Sequence, residues 1–229
     1  MFRKFVVVGI LALVALVSGC ATRTKMAFGD DVEKFTEASK PVLLMSVNLK
    51  NAYNTSHQPK LLVVNVEKPD AKDASERLNF TMDEKAAVLS DNPEVGNNYL
   101  LRLELDPGAY KIVGLTSTSR AFLINGFFFT PVHSDVVINR PGVFYLGHVN
   151  ATVRERVGEE FKAGPSVPLI DQAIVGASGG TFDVSISDEF STDEESFRSR
   201  FPALKGVAIT KSVLSPFDRA KAQAWWQDH

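Results

Sequence analysis

The chain has 229 residues, with 25 Lys plus Arg against 27 Asp plus Glu and a formal net charge of -2, which excludes the basic surface of a nonspecific nucleic-acid binder. Hydrophobic residues at 45% and charged residues at 23% are the balance of a folded globular chain and exclude a disordered one. The single cysteine excludes a disulfide within the chain, and 16 Phe against 4 Tyr and 2 Trp point to aromatic surface meant for burial.

The first element in chain order is a leader. Arg3 and Lys4 precede an apolar run, Phe5 to Val17, which Ser18, Gly19 and Cys20 follow; this is the layout of a signal peptide. As a helix the 13 residues of that run reach about 20 Å, short of a hydrocarbon core of roughly 30 Å, which disfavours a permanent transmembrane helix. Val17-Ser18-Gly19-Cys20 resembles the lipobox of bacterial lipoproteins, in which small residues precede a cysteine whose thiol receives diacylglycerol before cleavage. The alternative is an ordinary small apolar cysteine that ends a hydrophobic helix; a lone cysteine directly after the small pair argues against it. The resemblance implies removal of residues 1–19, a lipid on Cys20 and a further acyl chain on the new amino terminus, which together give stable anchoring where one chain is marginal. Ala21, standing where an aspartate is the usual inner-membrane retention signal, implies the periplasmic face of the outer membrane in a Gram-negative source.

Residues 20–40 are polar and without sustained period, which reads as a tether from the lipid to the body, and Pro41 closes it. Residues 41–190 then carry the strand signals. Leu43, Met45, Val47 and Leu49 alternate with Leu44, Ser46, Asn48 and Lys50 as in a half-buried strand, and Leu61 to Glu67 reads as a second. The turn-rich stretch between them holds His57, most simply a solvated loop residue. Residues 99–115 and 136–149 each read as strand, turn, strand. In both, Pro presets φ near -65° and the next residue is Gly, the chemistry of a type II turn, so Pro107-Gly108 and Pro141-Gly142 are predicted hairpin turns. Between them AFLINGFFFTPV, residues 121–132, is too apolar for an exposed strand and is expected in the core or under a covering element. The second segment extends through residue 157, and residues 181–187 supply one more strand. Seven or eight strands at short spacing, without interleaved helical periods, predict an antiparallel β-sandwich. The phrases LDPGAY and RPGVFYLG resemble those of transthyretin-like and peptidase-regulatory β-sandwich domains and of uncharacterised bacterial lipoproteins. That resemblance implies a transthyretin-like or Ig-like sandwich in the envelope and carries over no functional residue.

Residues 191–229 read as a helical extension. Ser191 and Thr192, each followed three positions on by an acid, predict a capping box for a helix to about Arg200, with Pro202 just beyond. Ser215-Pro216 predicts the N-cap and first residue of a last helix running to Trp225.

Candidate chemistry is sparse. Gly176-Ala177-Ser178-Gly179-Gly180 matches the G-x-S-x-G nucleophile elbow of α/β-hydrolases and resembles the GDSGG phrase of chymotrypsin-like proteases with Ala in place of Asp. An elbow needs a helix after the serine, whereas TFDVSIS reads as a strand, so a flexible turn is the simpler account and a serine hydrolase on Ser178 the alternative one. His57, His133, His148 and His229 are scattered and none pairs with another at metal-ligand spacing; no metal or cofactor is expected. The acids Asp183, Asp188, Glu189, Asp193, Glu194 and Glu195 invite calcium, but an EF-hand loop needs a Gly that the run lacks, and acids crowding a helix start offset its dipole. Phe127-Phe128-Phe129 reads as a core element rather than a glycan or partner platform, since only Phe127 and Phe129 share a face. The functional expectation is a non-catalytic lipoprotein that is anchored in the membrane through the lipid on Cys20 and binds an envelope protein or glycan. Its contact points are expected in the loops Asn51 to Lys60 and Gly158 to Pro168.

Overall fold

Period-2 patterning becomes a two-sheet, mainly β body in the computed structural model, which describes residues 21–29, 34–36, 39–90, 92–165 and 170–228. Eleven strands are present among them: β1 Thr22–Lys25, β2 Val42–Asn51, β3 Lys60–Glu67, β4 Arg77–Thr81, β5 Ala87–Val88, β6 Asn97–Glu104, β7 Gly108–Ala121, β8 Ile124–Ile138, β9 Val143–Glu155, β10 Gly180–Ser187 and β11 Ile209–Lys211. One sheet runs β1-β4-β3-β7-β8 and the other β10-β9-β2-β6-β5, with β11 also paired to β9. Val64, Phe80, Ile112, Leu115 and Phe128 of the first sheet meet Leu43, Met45, Leu101 and Val149 of the second in one shared core.

The strands expected around Leu43, Leu61, residues 99–115, residues 136–157 and residues 181–187 are β2, β3, β6 with β7, the end of β8 with β9, and β10. The sheets are mixed rather than antiparallel throughout, because β1 with β4, β2 with β9 and β11 with β9 run parallel. β2 is buried on both faces, not half-buried. Leu43, Met45, Val47 and Leu49 face the shared core, while Val42 and Leu44 face a second cluster with Phe197, Phe201 and Leu204. Those last three belong to the helix Phe190–Arg200 and the 3-10 turn Pro202–Leu204 that cover this sheet. In chain order the helices are α1 Ile170–Ile174, α2 Phe190–Arg200 and α3 Arg219–Asp228.

Neither Pro-Gly pair closes a hairpin. Pro107-Gly108 carries the chain from β6 in one sheet to β7 in the other, and Pro141-Gly142 returns it from β8 to β9. The physical reason is handedness of twist: tight hairpins favour primed turns with φ > 0 at the first central position, which Pro cannot adopt. Gly108 and Gly142 have φ of +156° and +141°, more extended than the value near +80° of a type II turn. A tight hairpin joins β7 to β8. Its two-residue tip is Phe122-Leu123, closed by the pair Ala121 and Ile124. Residues 121–132, expected inside, therefore divide between a solvent-facing tip and the start of β8, where Phe128 is buried in the core and Phe127 and Phe129 face the other way.

Within the stretch expected to be a tether, residues 22–28 pack on the body. β1 pairs with β4, and Met26, Ala27 and Phe28 behind it are buried. Buried Arg102 fixes this segment: its Nε donates to Ala27 O at 2.9 Å, its guanidinium stacks on Phe201 at 4.1 Å, and Asp83 neutralises it. Both predicted caps also differ. Ser191 and Thr192 lie inside α2, whose N-cap is Glu189 without a side-chain cap bond. At α3 it is Asp218, not Ser215, whose carboxylate accepts the Lys221 N–H at 2.9 Å.

Candidate functional site

Cys20 lies outside the described residues, which begin with Ala21. Thr22 pairs with Leu78, next to Arg77, and Arg77 pairs with Glu67, which pairs with Lys111. Ala21 therefore sits at the end of the body where Gly108 and Ile138 mark the two inter-sheet corners. β7 leads from there through 14 residues, about 46 Å at 3.3 Å per residue, to the opposite end.

That opposite end carries exposed apolar side chains. Phe122 is 101% and Leu123 79% exposed, and Phe122 adopts φ +52°, a left-handed conformation usually left to Gly or Asn. Ile170 and Val157 are 77% and 71% exposed. Hydrogen bonds draw their loops together: Asn125 N–H to Asp171 Oδ2 at 2.9 Å, Asn54 Nδ2 to Ile174 O at 2.5 Å, and Arg156 N–H to Gly179 O at 3.0 Å. The expected contact loop Asn51 to Lys60 belongs to this end; the other, Gly158 to Pro168, is described as far as Pro165.

Ser178 lies between α1 and β10, so a helix precedes it and a strand follows, the reverse of an elbow. Its N–H donates to Gln172 O at 3.0 Å, and its hydroxyl makes no hydrogen bond to a histidine among the described residues. His57 Nδ1 is 3.5 Å from Ser119 Oγ, His133 is buried with its ring 4.9 Å from that of Trp225, and His229 lies outside the described residues. Among the described residues no group of three or more His, Cys, Asp or Glu is placed to hold a metal, and no helix is long and apolar enough to cross a membrane.

His148 does have neighbours. Its Nδ1 is 3.2 Å from both carboxylate oxygens of Asp193 and 3.5 Å from Glu189 Oε2, while Tyr145 Oη donates to Asp193 Oδ2 at 2.6 Å. Strand alternation would put Tyr145 and His148 on opposite faces. A bulge, with Leu44 opposite Tyr145 and Ser46 opposite His148, inserts one residue into β9, and Gly147 takes it up at φ +109°. Burial opposes the charge on Asp193, but the hydrogen bonds from His148 and Tyr145 prevail and hold its pKa below the ordinary value. Burial likewise opposes protonation of His148, yet the Asp193 hydrogen bond and charge raise its pKa. Burial and Asp193 drive the pKa of the Tyr145 hydroxyl far upward, so it stays protonated. The cluster pins α2 to β9. Three more acids of the run form ion pairs: Asp188 with Lys211 at 2.8 Å, Glu194 with Arg198 at 2.7 Å and Asp183 with Arg154 at 3.0 Å.

A groove crosses the outer face of the five-stranded sheet. Arg219, at the start of α3, and Arg154 of β9 share Glu160 at 2.7 and 2.6 Å, and their guanidinium groups, Arg154 first, lower its pKa to about 2. Gln223 Oε1 accepts the Phe161 N–H at 2.6 Å. Strapped in this way, α3 lays Trp225 on Phe129 with ring centroids 5.3 Å apart and planes at 26°. A concavity of 410 Å³ lies between Phe127, Phe129, Pro165, Trp225 and Trp226, with Lys162 on its rim. A second, of 540 Å³, shares Thr116, Phe129 and Trp225 with it and continues past Asn65, Asn79 and Arg77 to Ala21. Sequence reasoning missed this groove, because its walls come from seven separate segments. The one signal available was that Phe127 and Phe129 share a face. The chain matches no family model, no curated protein and no solved structure.

Proposed function

We propose that the chain is a non-catalytic envelope lipoprotein, held by a lipid on Cys20 at the periplasmic face of the outer membrane, whose β-sandwich, transthyretin-like or Ig-like, binds an envelope protein through its apolar loop end. One observation carries the reading: Phe122, Leu123, Val157 and Ile170 stand exposed about 46 Å along β7 from the end that bears Ala21. Large apolar side chains left exposed on the loops of one end mark a candidate interaction surface. Aliphatic side chains favour an apolar cleft on a protein over a glycan, and an anchor at the far end turns the patch away from its own bilayer. Tethering raises the local concentration of such a surface for partners in the same compartment.

The test uses the lipidated protein in its own membrane, with a photoreactive amino acid at Leu123. A discrete protein adduct is expected, lost in Phe122→Ser, while Cys20→Ala loses incorporation of labelled fatty acid. Adducts to phospholipid at position 123 would refute the orientation. Labelling of Ser178 by an active-site serine probe, abolished in Ser178→Ala, would refute the non-catalytic reading.

A further inference from the structure

We propose that the groove on the five-stranded sheet is a binding site for a fatty acyl chain, and that its occupant is one of the chains carried by Cys20. The inference rests on the lipoprotein reading above and goes beyond it, because it assigns an intramolecular site to the anchor itself.

Position is the first argument. The described chain starts at Ala21, and Ala21 is itself a wall of the groove. A lipid on the preceding residue begins at the groove's mouth.

Length is the second argument. From Ala21, beside edge strand β1, the groove crosses β4, β3 and β7 to β8, four strand spacings or about 19 Å. One acyl chain spans half of a hydrocarbon core of roughly 30 Å, about 15 Å. A single chain therefore fits along it.

Polarity is the third argument. Near Ala21 the lining is Asn65, Asn79, Arg77 and Glu67; at the far end it is Phe127, Pro165 and Trp226, with Lys162 beside them. The amides satisfy one another, Asn65 Nδ2 donating to Asn79 Oδ1 at 2.9 Å and Thr116 Oγ1 to Asn65 Oδ1 at 2.8 Å, so this floor is preorganised. Arg77 donates through Nη2 to Ala71 O at 3.2 Å, and a guanidinium has further N–H donors for an ester or amide carbonyl. An acyl group has this same polarity, with a carbonyl at its attached end and hydrocarbon beyond.

The groove is open along one side and covers only part of a chain that the bilayer covers wholly, so contacts with Phe127, Phe129 and Trp226 must offset the difference. Covalent attachment decides the balance, because it supplies an effective concentration that no free lipid matches. Since bacterial lipoproteins of this kind carry more than one chain, the remainder stay in the bilayer and hold the protein there.

The experiment feeds cells a diazirine-bearing fatty acid, irradiates the intact membrane and maps adducts on the full-length lipidated protein by mass spectrometry. Intramolecular adducts from Cys20 to the segments holding Phe127, Phe129, Trp225 and Trp226 are expected. Thr116→Trp, which fills the passage between the two concavities, should cut them at least ten-fold, and Thr116→Val should keep them. If Thr116→Trp fails to fold, the wild-type adduct map decides alone. Adducts confined to membrane lipid, with Cys20 labelled, would overturn the acyl site and leave the lipoprotein reading standing. The same groove adducts in Cys20→Ala would overturn Cys20 as the source and make a bilayer lipid the occupant. An unlabelled Cys20 would overturn both readings.

Discussion

Replacing Asp193 with Asn removes one charge from the buried cluster beneath α2 while keeping its shape. The wild-type carboxylate accepts from Tyr145 at 2.6 Å and lies 3.2 Å from His148 Nδ1. Hydrogen bonds to a charged group contribute about 1.5–3 kcal/mol, and breaking a buried pair costs about 3–5 kcal/mol; since Asn retains one acceptor, a loss of about 3 kcal/mol is expected. At about 2–4 °C per kcal/mol for a chain of this size, the melting temperature should fall by about 6–12 °C. The pH dependence carries the signature of the pair. Asp193 has a depressed pKa, so its contribution is present above 3.8 and is lost as pH falls through the depressed value. His148 has a raised pKa, so its contribution is present below 6.5 and is lost as pH rises through the raised value. Both act together between 3.8 and 6.5. Thermal melts by circular dichroism at about pH 5.5 and about pH 8, either side of the ordinary histidine range, should show the wild type's advantage over Asp193→Asn to be larger at the lower pH. Melting within about 1 °C of wild type at both values would refute the cluster's role.

Gly142→Val should lose about 1–3 kcal/mol in denaturant titration, because φ +141° strains an L residue and a Cβ would stand 3.3 Å from the Phe144 ring. Gly108→Val, nearer to extended backbone and with its closest contact at 3.5 Å, should lose about 1 kcal/mol; unchanged stability at both would mean the corners are not so constrained. Phe122→Gly should unfold no earlier than wild type and gain about 0.5–1 kcal/mol, since it relieves a left-handed Phe whose ring makes no buried contact. A clear loss of stability would show that Phe122 supports the fold rather than a partner.

The sequence by itself determined the fold class and most strand positions, because alternation of apolar residues is a local property that each strand carries alone. The proposed anchor at Cys20 likewise rests on a linear phrase of the sequence alone. Four strands escaped it. β1, β4, β5 and β11 have two to five residues each, too few for a period, and exist because a neighbouring strand supplies their hydrogen bonds. Pro107-Gly108 and Pro141-Gly142 were legible as turns, but only the packed sheets decided that the chain changes layer there. Tyr145, His148 and Asp193 meet because a bulge at Gly147 overrides alternation and α2 docks above it. The groove from Ala21 to Trp226 depends on α3 folding back over β8, held by Glu160 and Gln223. These features join residues far apart in the chain, and no local period or motif encodes a contact whose other half is set by long-range packing.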